Sequence, residues 1–154
     1  MQKLALITLL LLTFSGVYSQ TLEFSEGYYY KNGMLYTGTY TEYWPNKNAK
    51  LVQNLVNGQE DGISELFFEN GKMQEQRSYL EGKKHGLWNT YNETGAKISE
   101  ANYRHNKKDG IWRIWDDKGT LRYEMYYSNS EKTGTWRIWD ENGKLTSERN
   151  YSTN

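Results

Sequence analysis

The chain contains no cysteine and one proline, and its 19 basic residues cancel its 19 acidic ones over 154 positions. Without cysteine there is no disulfide, no thiolate metal site, no thiol nucleophile and no lipidated N-terminal cysteine. Packing and backbone pairing must hold the fold. Charge balance removes the long-range positive field on which nucleic-acid binders rely, so nucleic acid is not an expected partner. Phosphate loops, nucleophile elbows and dinucleotide fingerprints are also missing. The two histidines, His85 and His105, lack metal-ligand spacing and read as ordinary surface residues near repeat connectors. The acidic loop at 116–119 has too few ligands for calcium. The expectation is a protein with no enzymatic activity, no metal and no cofactor.

Long apolar runs are confined to the N-terminus. Lys3 precedes the nine-residue stretch Leu4 to Leu12, and Val17 and Ser19 suit signal peptidase. A spanning helix needs roughly 20 apolar residues, so residues 1–19 read as a signal peptide cleaved near Ser19/Gln20. The expected location is extracytoplasmic: periplasmic, cell-envelope or secreted.

What the chain has in abundance is aromatic residues, 16% of the total, and 14 glycines. Glycine recurs at 38, 62, 86, 110 and 134, a constant interval of 24 residues. Numbered from each glycine, position +2 reads Tyr40, Ser64, Trp88, Trp112, Trp136, and position +17 reads Leu55, Tyr79, Tyr103, Tyr127, Tyr151. The runs between glycines are too short for helices and rich in aromatic and β-branched types, so each unit reads as a β-hairpin. In Asp116 to Gly119 and Asp140 to Gly143 the glycine stands where a three-residue loop, a type I turn closed by a bulge, needs a left-handed residue. That loop sets position +5 opposite +11, pairing Phe67 with Met73, Trp115 with Leu121 and Trp139 with Leu145. In the first repeat, Pro45 and Lys47 suggest a longer turn.

The expected fold is all-β: an elongated single-layer antiparallel sheet of five stacked hairpin repeats over 38–154. Residues 20–37 would add an N-terminal cap hairpin turning at Asn32-Gly33. Strict alternation assigns +1, +5, +11 and +17 to one face, the preferred core. The other face receives the tryptophans, with the +14 glutamates opposite them. The last strand has no successor and is a free edge through which self-association is conceivable.

The pattern of Gly134, Trp136, Trp139, Gly143, Leu145, Glu148 and Tyr151 resembles the MORN-repeat variant of bacterial proteins, and with the segment 35–46 it is similar to the YwqK-family antitoxin group. The resemblance implies hairpin-stacked sheets that scaffold proteins or contact phospholipid. With an exported chain, an antitoxin role would mean immunity to an exported effector. Ser64 in place of the +2 aromatic and Lys97 at an apolar +11 position depart from the pattern.

Two surfaces are candidates for binding. Trp88, Trp112 and Trp136, with Glu100, Glu124 and Glu148, would form a surface for a protein partner or a stacking platform for a glycan. Packing of a second face explains the same tryptophans. The connector lysines Lys83, Lys84, Lys107, Lys108 and Lys132 would form a basic edge for anionic membrane lipid, the alternative function. Ordinary solvation of turns explains the lysines as well.

Overall fold

A computed structural model describes residues 21–151. The expected signal peptide lies outside the described residues. Within them the chain is strand and turn throughout: β1 (Glu23–Ser25), β2 (Tyr28–Lys31), β3 (Met34–Leu35), β4 (Gly38–Tyr43), β5 (Ala49–Val56), β6 (Gln59–Phe67) and β7 (Met73–Leu80). There follow β8 (Lys83–Lys84), β9 (Gly86–Tyr91), β10 (Lys97–Arg104), β11 (Lys107–Trp115), β12 (Leu121–Ser128), β13 (Glu131–Trp139) and β14 (Leu145–Tyr151). From β4 to β14 the strands pair antiparallel in sequence order in one open sheet, with β8 and β9 end to end along the same edge of β7 and separated at His85. β1 to β3 form a separate three-stranded sheet. The expected cap hairpin is β2–β3, with Lys31 opposite Met34, and β1 adds a strand to it.

Two kinds of turn alternate, each with a local cause. Within a repeat, Asp116 N–H donates to the Thr120 carbonyl and Gly119 N–H to the Asp116 carbonyl, closing the three-residue loop. The Asp116 carboxylate accepts from the Lys118 and Thr120 amides, as Asp140 does from Asn142 and Lys144. These bonds pull the Asp116 carboxyl below its ordinary range. The +5 to +11 pairs form as expected, Phe67 with Met73, Trp115 with Leu121 and Trp139 with Leu145. Between repeats, two-residue turns such as Glu81-Gly82 and Asn129-Ser130 place both residues at positive φ, the type I′ geometry whose twist suits a hairpin.

The longer first turn is not observed. Tyr43 faces Ala49 in the common register, and Lys47 takes the glycine's place at φ 70°. The loop's hydrogen bonds, Trp44 to Asn48 and Lys47 to Trp44, outweigh the cost of a left-handed lysine. The repeat glycines have a separate cause. Gly110 sits at φ 101° where three residues of β11 oppose the single residue Asn102, and a Cβ there would lie 3.2 Å from the Asn102 Cβ.

A second bulge changes which residues share a face. Trp115 pairs with Leu121 but Ile114 pairs with Tyr123, so Arg122 is an extra residue, and Thr146 is its counterpart in the next hairpin. From there on pairing is displaced by one: +3 faces +14, +2 faces +15 and 0 faces +17. The +17 tyrosines therefore join the tryptophans rather than the +5 aromatics, correcting the face assignment made by strict alternation. Each hairpin thus has a ladder face and an opposite face, and in the last two the ladder face carries Trp and Tyr while the opposite, ion-pair face carries Arg and Glu.

A single layer buries little. Among the described residues Leu55, at 1% exposure, is the buried hydrophobic side chain, joined by the polar Gln53, Ser64 and Asn89. Leu55, Gln53 and Ser64 lie together on the ladder face of the first two repeats, where the N-terminal sheet covers them. Docking is through backbone: Tyr29 N–H donates to the Gly58 carbonyl and Gly58 N–H to the Tyr36 carbonyl. The Tyr29 ring stands 6.5 Å from that of Tyr40. Gly58 permits the approach, since a Cβ would meet Leu35 at 2.8 Å and the Tyr29 carbonyl at 2.9 Å. Ser64, 2% exposed, stands in this stretch at the position where later repeats carry tryptophan.

Candidate functional site

The ladder face beyond the cap is one continuous stack. Tyr79, Trp88, Tyr103, Trp112, Tyr127, Trp136 and Tyr151 follow one another with ring centres 5.0–5.5 Å apart and planes inclined by 56–65°. Such tilted contacts are the favoured alternative to face-to-face stacking. Each indole is also anchored to the neighbouring strand: Trp88 Nε1 donates to the Ser78 carbonyl, Trp112 to Asn102 and Trp136 to Tyr126. Burial pushes the hydroxyls of Tyr103 and Tyr127 above the ordinary tyrosine range.

Three of the five lysines expected on the connector edge belong to this ladder. Lys108 Nζ stands 4.3 Å from the Trp112 ring centre and 4.7 Å from that of Tyr127. Lys84 is 4.4 Å from Trp88 and 5.1 Å from Tyr103, and Lys132 is 4.6 Å from Trp136 and 5.3 Å from Tyr151. Cation–π attraction thus holds each ammonium between two rings while its outer side meets solvent. Lys83 and Lys107 alternate to the opposite side and are exposed. The five therefore do not form one uniform edge.

The glutamates are on the other face. Glu100 is opposite Asn89 and Arg113, Glu124 opposite Arg113 and Arg137, and Glu148 opposite Arg137. Charges alternate across the strands: Lys97 to Glu100 at 3.1 Å, Arg113 to Glu100 at 3.5 Å and to Glu124 at 2.9 Å, then Arg137 to Glu124 at 3.3 Å and to Glu148 at 2.8 Å. The expected joint surface of Trp88, Trp112 and Trp136 with Glu100, Glu124 and Glu148 does not exist, because the one-residue bulge put them on opposite sides. Each of these carboxylates is engaged by a cation on the same face.

The residues missed from sequence lie beside the ladder at +4, +13 and +15. Ile114 pairs with Tyr123, Trp112 with Met125, Ile138 with Ser147 and Trp136 with Arg149. Ile114, Tyr123 and Ile138 are 38–40% exposed although apolar. Tyr123, Met125, Trp136, Ile138 and Arg149 line a shallow groove of about 380 Å³. Among the strand positions that alternate onto this face from Lys84 to Tyr151 there are four cations, Lys84, Lys108, Lys132 and Arg149, and no carboxylate.

Under the cap the chemistry differs. Glu60 occupies the place of Lys84, Lys108 and Lys132, and burial raises its carboxyl above the ordinary range despite Arg77 and a hydrogen bond from Tyr79. The Tyr79 hydroxyl is pushed up to about 12 by burial and by Glu60. Arg77 donates to Glu75 at 2.7 Å and stands over Trp88. His85 and His105, read as unremarkable, have rings 4.8 Å apart at the junction of two repeats. Their spacing of 20 residues is one repeat less four, a signal legible once strands are aligned.

The repeat signature described as the MORN repeat variant matches residues 60–81, 84–105, 108–129 and 132–152. This chain is a member of the MORN repeat variant family. No curated protein matches it. The matched segments run from one connector to the next, so each family unit spans the second half of a strand pair, its hairpin loop and the return strand. The first hairpin, β4–β5, lies outside the four matches, and it is the one beside the cap.

Proposed function

We propose that this MORN-variant chain is an exported, non-catalytic module that presents the ladder face of its last three repeats to a protein partner. One observation carries the reading. The chain covers this face with its own N-terminal strands over the first repeats, burying Leu55, Gln53 and Ser64, and leaves the same face open where Ile114, Tyr123 and Ile138 are exposed. An uncovered apolar strip bordered by cations is what an interaction surface requires. The resemblance to the YwqK-family antitoxins favours a bacterial toxin or effector as the class of partner, and the apolar leader supports an encounter outside the cytoplasm. Contact with anionic lipid through the lysines is the competing reading.

The experiment compares capture from an extracytoplasmic fraction by the full chain, by Ile114→Glu/Ile138→Glu and by an ion-pair-face control, Thr135→Glu. A partner retained by the parent and the control and lost by the double variant supports the reading. Loss by the control alone, or capture only of anionic vesicles, overturns it.

A further inference from the structure

The spacing of the ladder lysines specifies more than a charge. Building on the proposed protein-binding role, we infer that the open ladder face receives an acidic segment in the polyproline II conformation, lying across the strands, with a carboxylate at every third residue seated on Lys84, Lys108 and Lys132. Equivalent residues of successive repeats are separated by two strands, or roughly 9.6 Å. A polyproline II helix has three residues per turn and rises about 3.1 Å per residue, so residues i, i+3 and i+6 share one side at intervals of about 9.3 Å. The two periods coincide.

Other backbone conformations do not offer this match. In an extended strand, residues three apart cover a similar distance, roughly 10 Å, but point to opposite sides. An α-helix rises about 1.5 Å per residue, so a step of roughly 9.6 Å falls between six and seven residues and rotates off the contact line. Three lysines span two repeats, a length over which flexible lysine stems absorb the twist of the sheet.

Charge selects acidic side chains, because the face carries four cations and no carboxylate from Lys84 to Tyr151. A flat sugar ring is the poorer occupant. The indoles are tilted against tyrosines on both sides, and each has a lysine ammonium 4.3–4.6 Å from its ring centre. Their ring faces are already used.

The test uses the full chain and two labelled synthetic peptides of equal composition: repeated Glu-Pro-Pro, and a control with its glutamates contiguous and its prolines contiguous. Fluorescence anisotropy at low ionic strength reads binding. The periodic peptide is expected to bind about tenfold tighter than the control, and Lys84→Gln/Lys108→Gln/Lys132→Gln to weaken it about tenfold or more. Lys83→Gln/Lys107→Gln, which changes the same edge on the opposite side, is expected to leave binding unchanged, and circular dichroism verifies that each variant keeps its sheet. Equal binding of the two peptides, equal loss in both lysine variants, or no binding overturns the inference. So does attachment to anionic phospholipid vesicles through the same three lysines without peptide binding. If the peptides fail while partner capture still depends on Ile114 and Ile138, the protein-binding role stands and this extension alone falls.

Discussion

The two ends of one face show what a repeat does when it is covered and when it is not. Beneath the N-terminal sheet the +2 position is Ser64, the lysine position is Glu60 and the +17 residue of the first repeat is Leu55, all turned inward. Beyond it the same positions hold tryptophan, lysine and tyrosine, stacked into a ladder whose flank of Ile114, Tyr123 and Ile138 meets solvent. The backbone hardly differs, since the loops and the +5 to +11 register recur in both halves. Covering therefore changes the side chains and leaves the scaffold as it was. It also tells which part of the array is built as core and which as surface.

Substitutions can break this contrast. The largest effect is expected at Leu55, where alanine should cost about 3 kcal/mol, the usual range for emptying a buried leucine site. Ile138→Ala, on the open half, should stay within about 0.5 kcal/mol. Parallel urea titrations of the two variants measure the difference. Next comes Gly58→Ala, which forces a Cβ into Leu35 and the Tyr29 carbonyl at a residue with φ 76°. It should release the cap locally, seen as faster amide exchange over 23–35 with the strands of the last repeats unchanged.

Ser130 lies in the left-handed region at φ 71°, where Gly82 stands in the equivalent turn. The Ser130 Oγ accepts from the Lys108 N–H at 3.0 Å, so Ser130→Gly relieves the strain but loses that bond and should change stability by less than about 0.5 kcal/mol, measured by thermal unfolding. The smallest effect is on pH dependence. Tyr79 is raised in the folded chain from 10.0 to about 12, so its contribution is fully present below pH 10 and is lost as pH rises through the folded value. Stability of the parent should fall more steeply across that interval than that of Tyr79→Phe. Glu60, also raised, favours the fold most when protonated, so Glu60→Gln should give a slight gain near neutral pH and none in acid.

Local signals were legible in the sequence and parity was not. Glycine and aspartate in Asp116 to Gly119 state the loop type, and the loop determines that Trp115 meets Leu121. The next residue, Arg122, is the bulge, and its counterparts Lys50, Gln74, Ile98 and Thr146 have no chemistry in common. Nothing local announces the extra residue, yet it moved Glu124 away from Trp112 and beside Arg113. Ser64 was visible as a departure, but its burial is tertiary, in a stretch of the ladder face beside Tyr40, whose ring stands 6.5 Å from that of Tyr29 in the N-terminal sheet. The cap turn at Asn32-Gly33 was legible, whereas the face on which it docks depends on Gly58.

Hydroxyl-radical footprinting of the full chain, free and bound to its captured partner, tests most directly whether the open half of the ladder face is the working surface. Protection of Tyr123, Met125 and Trp136, with Trp115 and Trp139 on the opposite face unchanged, is the predicted result. Protection confined to Trp115, Trp139 and Leu145 would contradict it.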